Sequence, residues 1–110
     1  MSNRSRSWQI LCWNIRGLND SNKWDAVRNK VEESACAVFC LQETKKHDFD
    51  RGFIRNFAPR RFDKYDFVPS VGASGSILLV WNSSIFDGNV VDKQCFGITV
   101  HFTSTQTSQS

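Results

Sequence analysis

Long apolar segments are absent from this 110-residue sequence. A membrane-spanning helix needs about 18 or more apolar residues in succession, and no stretch of the chain provides them. Residues Met1–Ser7 are polar and include two arginines, but the uninterrupted apolar segment of a secretion signal does not follow them. These absences predict a soluble, intracellular protein without membrane association.

Closely spaced cysteine pairs of the C-x-x-C type are also absent. The four cysteines lie in apolar or mixed runs that are typical of strands: Cys12, Cys36, Cys40 and Cys95. Zinc sites commonly use such pairs, and disulfide bonds are rare inside cells. We therefore expect reduced thiols in the core rather than disulfide bonds or zinc ligands.

The chain does contain enough apolar residues for a folded core. Hydrophobic residues make up 40% and aromatic residues 13% of the sequence, which excludes intrinsic disorder and fits one domain or part of one. The segment Thr103–Ser110 consists only of Ser, Thr and Gln. We predict a polar extension at 1–7, a folded domain at 8–103 and a polar tail at 104–110.

The charge balance is mildly basic. Fourteen Lys and Arg residues against eleven Asp and Glu residues give a net charge of +3 and a pI near 8.8, which suits a phosphate-bearing partner without requiring one. Basic residues cluster at Arg4 and Arg6, at Lys45 and Lys46, and in the segment Arg55–Lys64. These clusters could follow a polyanion or could be solvated surface charge.

A β-α-β unit is predicted in the first half of the chain. The run Trp8–Ile15 favours a strand buried on both faces. Apolar residues then recur at helical intervals after a turn, at Trp24, Val27, Val31 and Ala35. The short apolar run Ala37–Leu41 is typical of a second, parallel strand.

A second helix and three further strands are predicted after this unit. Asp48 can cap the helix, which carries Phe49, Phe53 and Phe57 on one face and ends before Pro59. The strand-like runs are separated by turn residues and favour adjacent antiparallel strands: Tyr65–Pro69, Ile77–Trp81 and Cys95–Phe102.

Asn14 and Glu43 are the candidate functional residues because each lies where a predicted parallel strand ends. Functional side chains collect at this edge of a parallel sheet. The Glu43 carboxylate suits Mg²⁺, which prefers oxygen ligands, and Asn14 could bind a phosphate or a metal-bound water. Spacing alone leaves open the alternative that both residues only form capping or turn hydrogen bonds.

The surrounding residues resemble a known family. Leu11–Leu18 and Leu41–Thr44 resemble the first two motifs of the endonuclease/exonuclease/phosphatase (DNase I-like) superfamily, and most of all the endonuclease domains of plant non-LTR, LINE-type retrotransposons. The resemblance continues through Phe67–Ser70 and Gly72–Trp81. The family commonly has a glycine where this sequence has Ser76.

The resemblance implies the N-terminal part of a four-layer α/β sandwich with mixed sheets and flanking helices. It implies Mg²⁺ as cofactor, with Mn²⁺ as a substitute, DNA as partner and the nucleus as location. Glu43 would bind the metal. Asn14 would also lie at the metal and orient the scissile phosphate or a metal-bound water. Apart from the resemblance, Arg16 lies next to the Asn14 motif and could hold a phosphate as a bidentate donor or could be a solvated strand-end arginine.

Downstream motifs of the family do not occur in this sequence: its strand-end tyrosine, its Gly-Asp-Phe-Asn-like motif and its final Asp and His. His47, His101 and Tyr65 do not match the family's functional positions. We therefore expect the chain alone to be inactive or nearly so as an endonuclease. The alternatives are a non-catalytic nucleic-acid-binding module and a phosphatase-type member acting on a small phosphodiester.

Overall fold

A computed structural model of the chain describes residues 10–69, 76–94 and 97–104. These residues form two helices and six strands, in the order β1 (Ile10–Asn14), α1 (Ser21–Ser34), β2 (Val38–Gln42), α2 (Arg51–Ile54), β3 (Lys64–Val68), β4 (Ile77–Trp81), β5 (Phe86–Gln94) and β6 (Gly97–Ser104). The predicted extension at 1–7 and residues 105–110 of the predicted tail lie outside the described residues. The domain boundaries therefore stay predictions.

Strands β1 and β2 are parallel neighbours, paired from Ile10 opposite Val38 to Asn14 opposite Gln42. Helix α1 connects them. It begins because the Asp20 carboxylate accepts a 2.9 Å hydrogen bond from the Asn22 N–H, which satisfies one of the unpaired amides of the first turn. The predicted β-α-β unit is confirmed.

The first four strands form a mixed sheet in the order β1-β2-β4-β3. Strand β4 is antiparallel to both β2 and β3, and all five of its residues are buried. Its predicted pairing with the Tyr65–Pro69 run is confirmed. The central position of β4 explains its apolar sequence, because both of its faces are covered.

The mixed sheet is covered on both faces. On one face the helices and the segment after α2 enclose a large apolar core, which contains Val27, Val31, Phe39, Phe57, Phe62 and Leu78 among others. On the other face the β5–β6 hairpin contributes Phe86, Val100 and Phe102, which pack against Val38, Leu79 and Trp81. The described residues thus form three layers, and the predicted α/β class with mixed sheets and flanking helices is confirmed.

Three predictions about these elements are wrong. Strand β1 is not buried on both faces, since it lies at the edge of the sheet and leaves Ile10 58% exposed. Helix α2 is capped by Asp50, whose carboxylate accepts the Phe53 N–H at 2.7 Å, and not by Asp48. Strand β6 pairs with β5, which the sequence did not predict, and these two form a sheet of their own.

The described part of the chain contains no helix both long and apolar enough to span a membrane.

Candidate functional site

The side chains of Asn14 and Glu43 meet at one edge of the mixed sheet. The Asn14 Nδ2 donates a 2.8 Å hydrogen bond to the Glu43 Oε2, across 29 positions of sequence. Parallel pairing of β1 and β2 makes this possible, because both strands reach their carboxyl ends at the same edge. The structure brings together the two residues that the sequence singled out.

The backbone conformation of Glu43 directs its side chain to the face of the sheet that carries Asn14. Side chains alternate between faces along a strand, so extended backbone after Leu41 and Gln42 would place Glu43 on the helix side with Leu41. Asn14 is on the opposite side, because its neighbour Trp13 packs into the helix-side core. A left-handed φ of 56° at Glu43 ends the alternation, and the carboxylate reaches Asn14.

Backbone hydrogen bonds join the loop after β1 to the loop after β2. The Ile15 N–H donates to the Gln42 carbonyl at 3.0 Å, and the Gly17 N–H donates to the Glu43 carbonyl at 2.7 Å. Helix α1 is also connected to the loop after β1, since the Lys23 ammonium donates a hydrogen bond to the Ile15 carbonyl at 2.6 Å. The two loops therefore form one connected framework beneath Asn14 and Glu43.

Left-handed backbone is concentrated in this framework. Arg16, Glu43 and Lys45 have φ values of 54°, 56° and 61°, and Gly17 has 104°. Left-handed backbone costs a non-glycine residue about 1–2 kcal/mol. Such strain persists only where surrounding contacts enforce it, and it clusters at functional sites.

A third segment of the chain supports the turn from Glu43 to Lys45. Ser76, which precedes β4, accepts the Thr44 N–H on its carbonyl at 3.3 Å and the Lys45 N–H on its Oγ at 2.9 Å. Its hydroxyl also hydrogen-bonds the Thr44 hydroxyl. This contact between Thr44 and Ser76 could not be predicted from the sequence, because it joins segments that are far apart along the chain.

The mouth of the site combines one carboxylate with basic side chains. Glu43 is half-buried, whereas Asn14, Arg16 and Lys45 are exposed. The ion pairs recorded in residues 10–69, 76–94 and 97–104 lie elsewhere and involve Arg28, Arg61 and Lys93. Arg16 and Lys45 therefore present positive charge in the two loops that carry Asn14 and Glu43.

The donor atoms suit a magnesium-like ion held partly by the protein. Within the described ranges, no group of three or more His, Cys, Asp or Glu side chains could hold a metal. Mg²⁺ needs no such cage, since it commonly binds one or two carboxylates and fills its remaining positions with water and substrate phosphate. The Glu43 carboxylate and the amide oxygen of Asn14 are oxygen donors of the type and number that Mg²⁺ commonly takes from a protein.

Two cysteines lie side by side just below the site. Cys12 of β1 is paired in register with Cys40 of β2, on the same face as Asn14. Burial, followed by the charge and hydrogen bond of Cys12, raises the pKa of the Cys40 thiol from 9.0 to about 11. Cys36 is buried and Cys12 is exposed. Cys12 thus corrects the expectation that the cysteines are core thiols, whereas Cys95 lies outside the described residues.

Part of the predicted basic surface is occupied by intramolecular contacts. In the Arg55–Lys64 cluster, Arg55 donates to the carbonyls of Pro59 and Phe62 at 3.0 and 3.2 Å. Arg61 pairs with Glu32 at 2.9 Å. These two arginines hold the segment after α2 in place, so the basic residues nearest the site, Arg16 and Lys45, become the better phosphate-binding candidates.

The other residues weighed in the sequence have ordinary positions. His47 and His101 are exposed. The Tyr65 hydroxyl donates to the Phe49 carbonyl at 3.4 Å. Trp81 is buried, and Trp13 packs against the helix-side core.

No protein-family model and no curated protein matches the chain. Among solved structures, the chain is similar to the AP endonuclease LMAP from Leishmania major, with 28% sequence identity and a TM-score of 0.47. The similarity covers 71% of this chain and 25% of that one. This chain thus spans about a quarter of the length of that structure.

Proposed function

We propose that this chain is the N-terminal part of a Mg²⁺-dependent phosphodiesterase domain of the endonuclease/exonuclease/phosphatase type, in a retroelement-derived protein that acts on DNA. The observation that carries the proposal is the 2.8 Å hydrogen bond between Asn14 and Glu43 at the ends of two parallel strands. The Glu43 backbone is strained, and strained backbone of this kind clusters at functional sites.

Each residue of the site has a defined role in this proposal. Glu43 supplies a carboxylate oxygen to the metal, and its hydrogen bond with Asn14 fixes the carboxylate in one orientation. Asn14 orients the scissile phosphate or a metal-bound water, and Arg16 binds a phosphate oxygen. The bound metal would offset the negative charge that develops on the phosphate in the transition state.

The isolated chain is proposed to be inactive or nearly so as an endonuclease. A general base that activates water contributes about 10²–10⁴-fold to rate, and the final Asp and His of the family that the sequence resembles do not occur in this sequence. Mg²⁺-dependent nicking of supercoiled plasmid by the purified chain, lost in Glu43→Ala, would overturn this part of the proposal.

Metal binding is the direct test of the site. We expect the purified chain to bind Mn²⁺, followed by the electron paramagnetic resonance signal of the unbound ion, and Glu43→Gln to weaken that binding at least about tenfold through loss of the ligand charge. Glu33→Gln is the matched control, because Glu33 is an exposed glutamate of α1. Equal Mn²⁺ affinity of the two variants would refute the proposed site.

A non-catalytic role in binding nucleic acid is the second candidate function. The exposed Arg16 and Lys45 in the loops of the site favour it. It predicts salt-dependent binding of DNA that Glu43→Gln leaves intact and that Arg16→Ala with Lys45→Ala weakens. A preference for a small phosphodiester over DNA in competition would instead favour the phosphatase-type alternative.

A further inference from the structure

Ser76 lies where three segments of the site converge. It immediately precedes β4, and antiparallel pairing of β4 with β2 places Ile77 opposite Gln42. The start of β4 is therefore at the same edge of the sheet as the end of β2. Ser76 and Thr44 are both completely buried there.

The Ser76 hydroxyl makes contacts that a side chain without oxygen could not make. Its Oγ accepts the Lys45 N–H at 2.9 Å and forms a second hydrogen bond with the Thr44 hydroxyl. A serine hydroxyl has one donor and two acceptor positions, so both contacts can form at once. Within the described part of the chain, every buried side-chain nitrogen or oxygen has a hydrogen-bond partner, which includes these two hydroxyls.

These hydrogen bonds act on a turn that would not hold its shape by itself. Glu43 and Lys45, on either side of Thr44, both have left-handed backbone with φ values of 56° and 61°. Left-handed backbone is unfavourable for residues other than glycine. Ser76 hydrogen-bonds Thr44 and Lys45, the second and third residues of this turn. Glu43, the first residue of the turn, carries the carboxylate of the site.

We propose that Ser76 is a positioning residue whose hydroxyl, together with Thr44, clamps the Glu43–Lys45 turn and so holds the Glu43 carboxylate against Asn14. The consequence for metal affinity rests on the proposed function, whereas the clamp itself does not. A glycine at position 76, common in the family that the sequence resembles, would retain the carbonyl contact with Thr44 and lose both hydroxyl contacts. The clamp is therefore a feature of this chain's own sequence.

The clamp is tested with Ser76→Ala in the full chain, by NMR and by Mn²⁺ titration. Loss of a buried hydrogen bond corresponds to roughly a five- to tenfold change in an equilibrium. We expect amide exchange at Lys45 to accelerate by at least that factor, the side-chain amide signals of Asn14 to shift, and Mn²⁺ affinity to fall about as much. Ser34→Ala is the control, because the Ser34 hydroxyl donates to the Val31 carbonyl at the end of α1.

Two further variants keep the test decisive where Ser76→Ala lowers the folded population. Thr44→Val removes the hydrogen bond between the two hydroxyls and is expected to reproduce the Asn14 effect. Thr44→Ser retains the hydroxyl and is expected to preserve the wild-type behaviour. A purely structural role for Ser76 would lower the melting temperature without changing the Asn14 signals or the Mn²⁺ affinity of the folded protein.

The outcomes separate the clamp from the proposed function. Unchanged Lys45 exchange and Asn14 signals in folded Ser76→Ala would overturn the clamp, whatever the metal affinity. Accelerated exchange and shifted Asn14 signals in a chain that binds no Mn²⁺, even as wild type, would support the clamp and refute the metal-dependent function.

Discussion

Gly88 of β5 lies so close to Trp81 of β4 that a Cβ at position 88 would be 2.8 Å from the indole ring and 2.9 Å from the ring of Phe102. Trp81 and Phe102 already pack edge to face at a centroid distance of 5.4 Å. A glycine at this position therefore lets the hairpin approach the mixed sheet and cover Val38, Leu79 and Trp81.

We predict that Gly88→Ala lowers the free energy of unfolding by about 1–3 kcal/mol, because an added methyl group in a packed interface forces its neighbours to move. Urea denaturation followed by tryptophan fluorescence measures the change. Gly97→Ala is the control, since nothing lies within 4 Å of a Cβ at that position. Equal losses in the two variants would contradict this account of the hairpin contact.

The end of α1 offers a stabilising substitution. Ala35 caps the helix with left-handed backbone, at φ 53°, a conformation that glycine adopts at little cost. We predict that Ala35→Gly raises the free energy of unfolding by about 0.5–1 kcal/mol. Ala26→Gly, inside the same helix, should lower it by about 1 kcal/mol. Destabilisation by both substitutions in the same denaturation experiment would rule out the left-handed cap.

Position 43 should prefer glycine to alanine for stability. Both substitutions remove the carboxylate, but only glycine relieves the left-handed strain at φ 56°. We predict that Glu43→Gly is more stable than Glu43→Ala by about 1 kcal/mol, as measured by thermal unfolding. Both variants should bind Mn²⁺ more weakly than the wild type. The opposite order of stability would mean that the Glu43 backbone is relaxed.

Strands with a clear apolar pattern could be predicted from the sequence, and so could the convergence of Asn14 and Glu43. β2 and β4 are central and buried, so their residues are almost all apolar. β5 was missed because polar residues such as Asp87, Asn89 and Asp92 dominate it, and its stability comes from pairing with β6. The many exposed polar residues of β5 leave no regular apolar pattern by which a strand could be predicted.

Other features could not be predicted because they depend on contacts between distant segments or on competition between equivalent residues. The left-handed turn at Glu43 contains no glycine and depends on Ser76, 33 positions later by residue number. Asp48 and Asp50 are equally suitable caps by residue type. The position of the helix settles the choice, since only the Asp50 carboxylate accepts the Phe53 N–H.

The raised pKa of Cys40 predicts a loss of stability in alkali. The folded chain keeps the thiol protonated up to a pKa of about 11, whereas the unfolded chain loses the proton near 9.0. Between these values the unfolded state binds fewer protons, so the free energy of unfolding falls as pH rises, by roughly 2–3 kcal/mol at pH 11. This contribution is fully present below pH 9.

Urea denaturation from pH 8 to pH 11 measures this effect. Cys40→Ala is the matched variant, because it removes only this thiol. Its stability should fall less steeply with pH than that of the wild type. Parallel pH profiles for the two proteins would show that Cys40 ionises as readily in the folded chain as in the unfolded one.

The location of bound metal tests the central claim most directly. Crystals of the chain grown with Mn²⁺ would reveal the ion by its anomalous scattering. We predict a peak about 2.1 Å from a Glu43 carboxylate oxygen, on the side of the sheet that carries Asn14, with water at most of its other positions. A peak elsewhere, or no peak at Glu43 at saturating Mn²⁺, would contradict the assignment of Asn14 and Glu43 as a metal site.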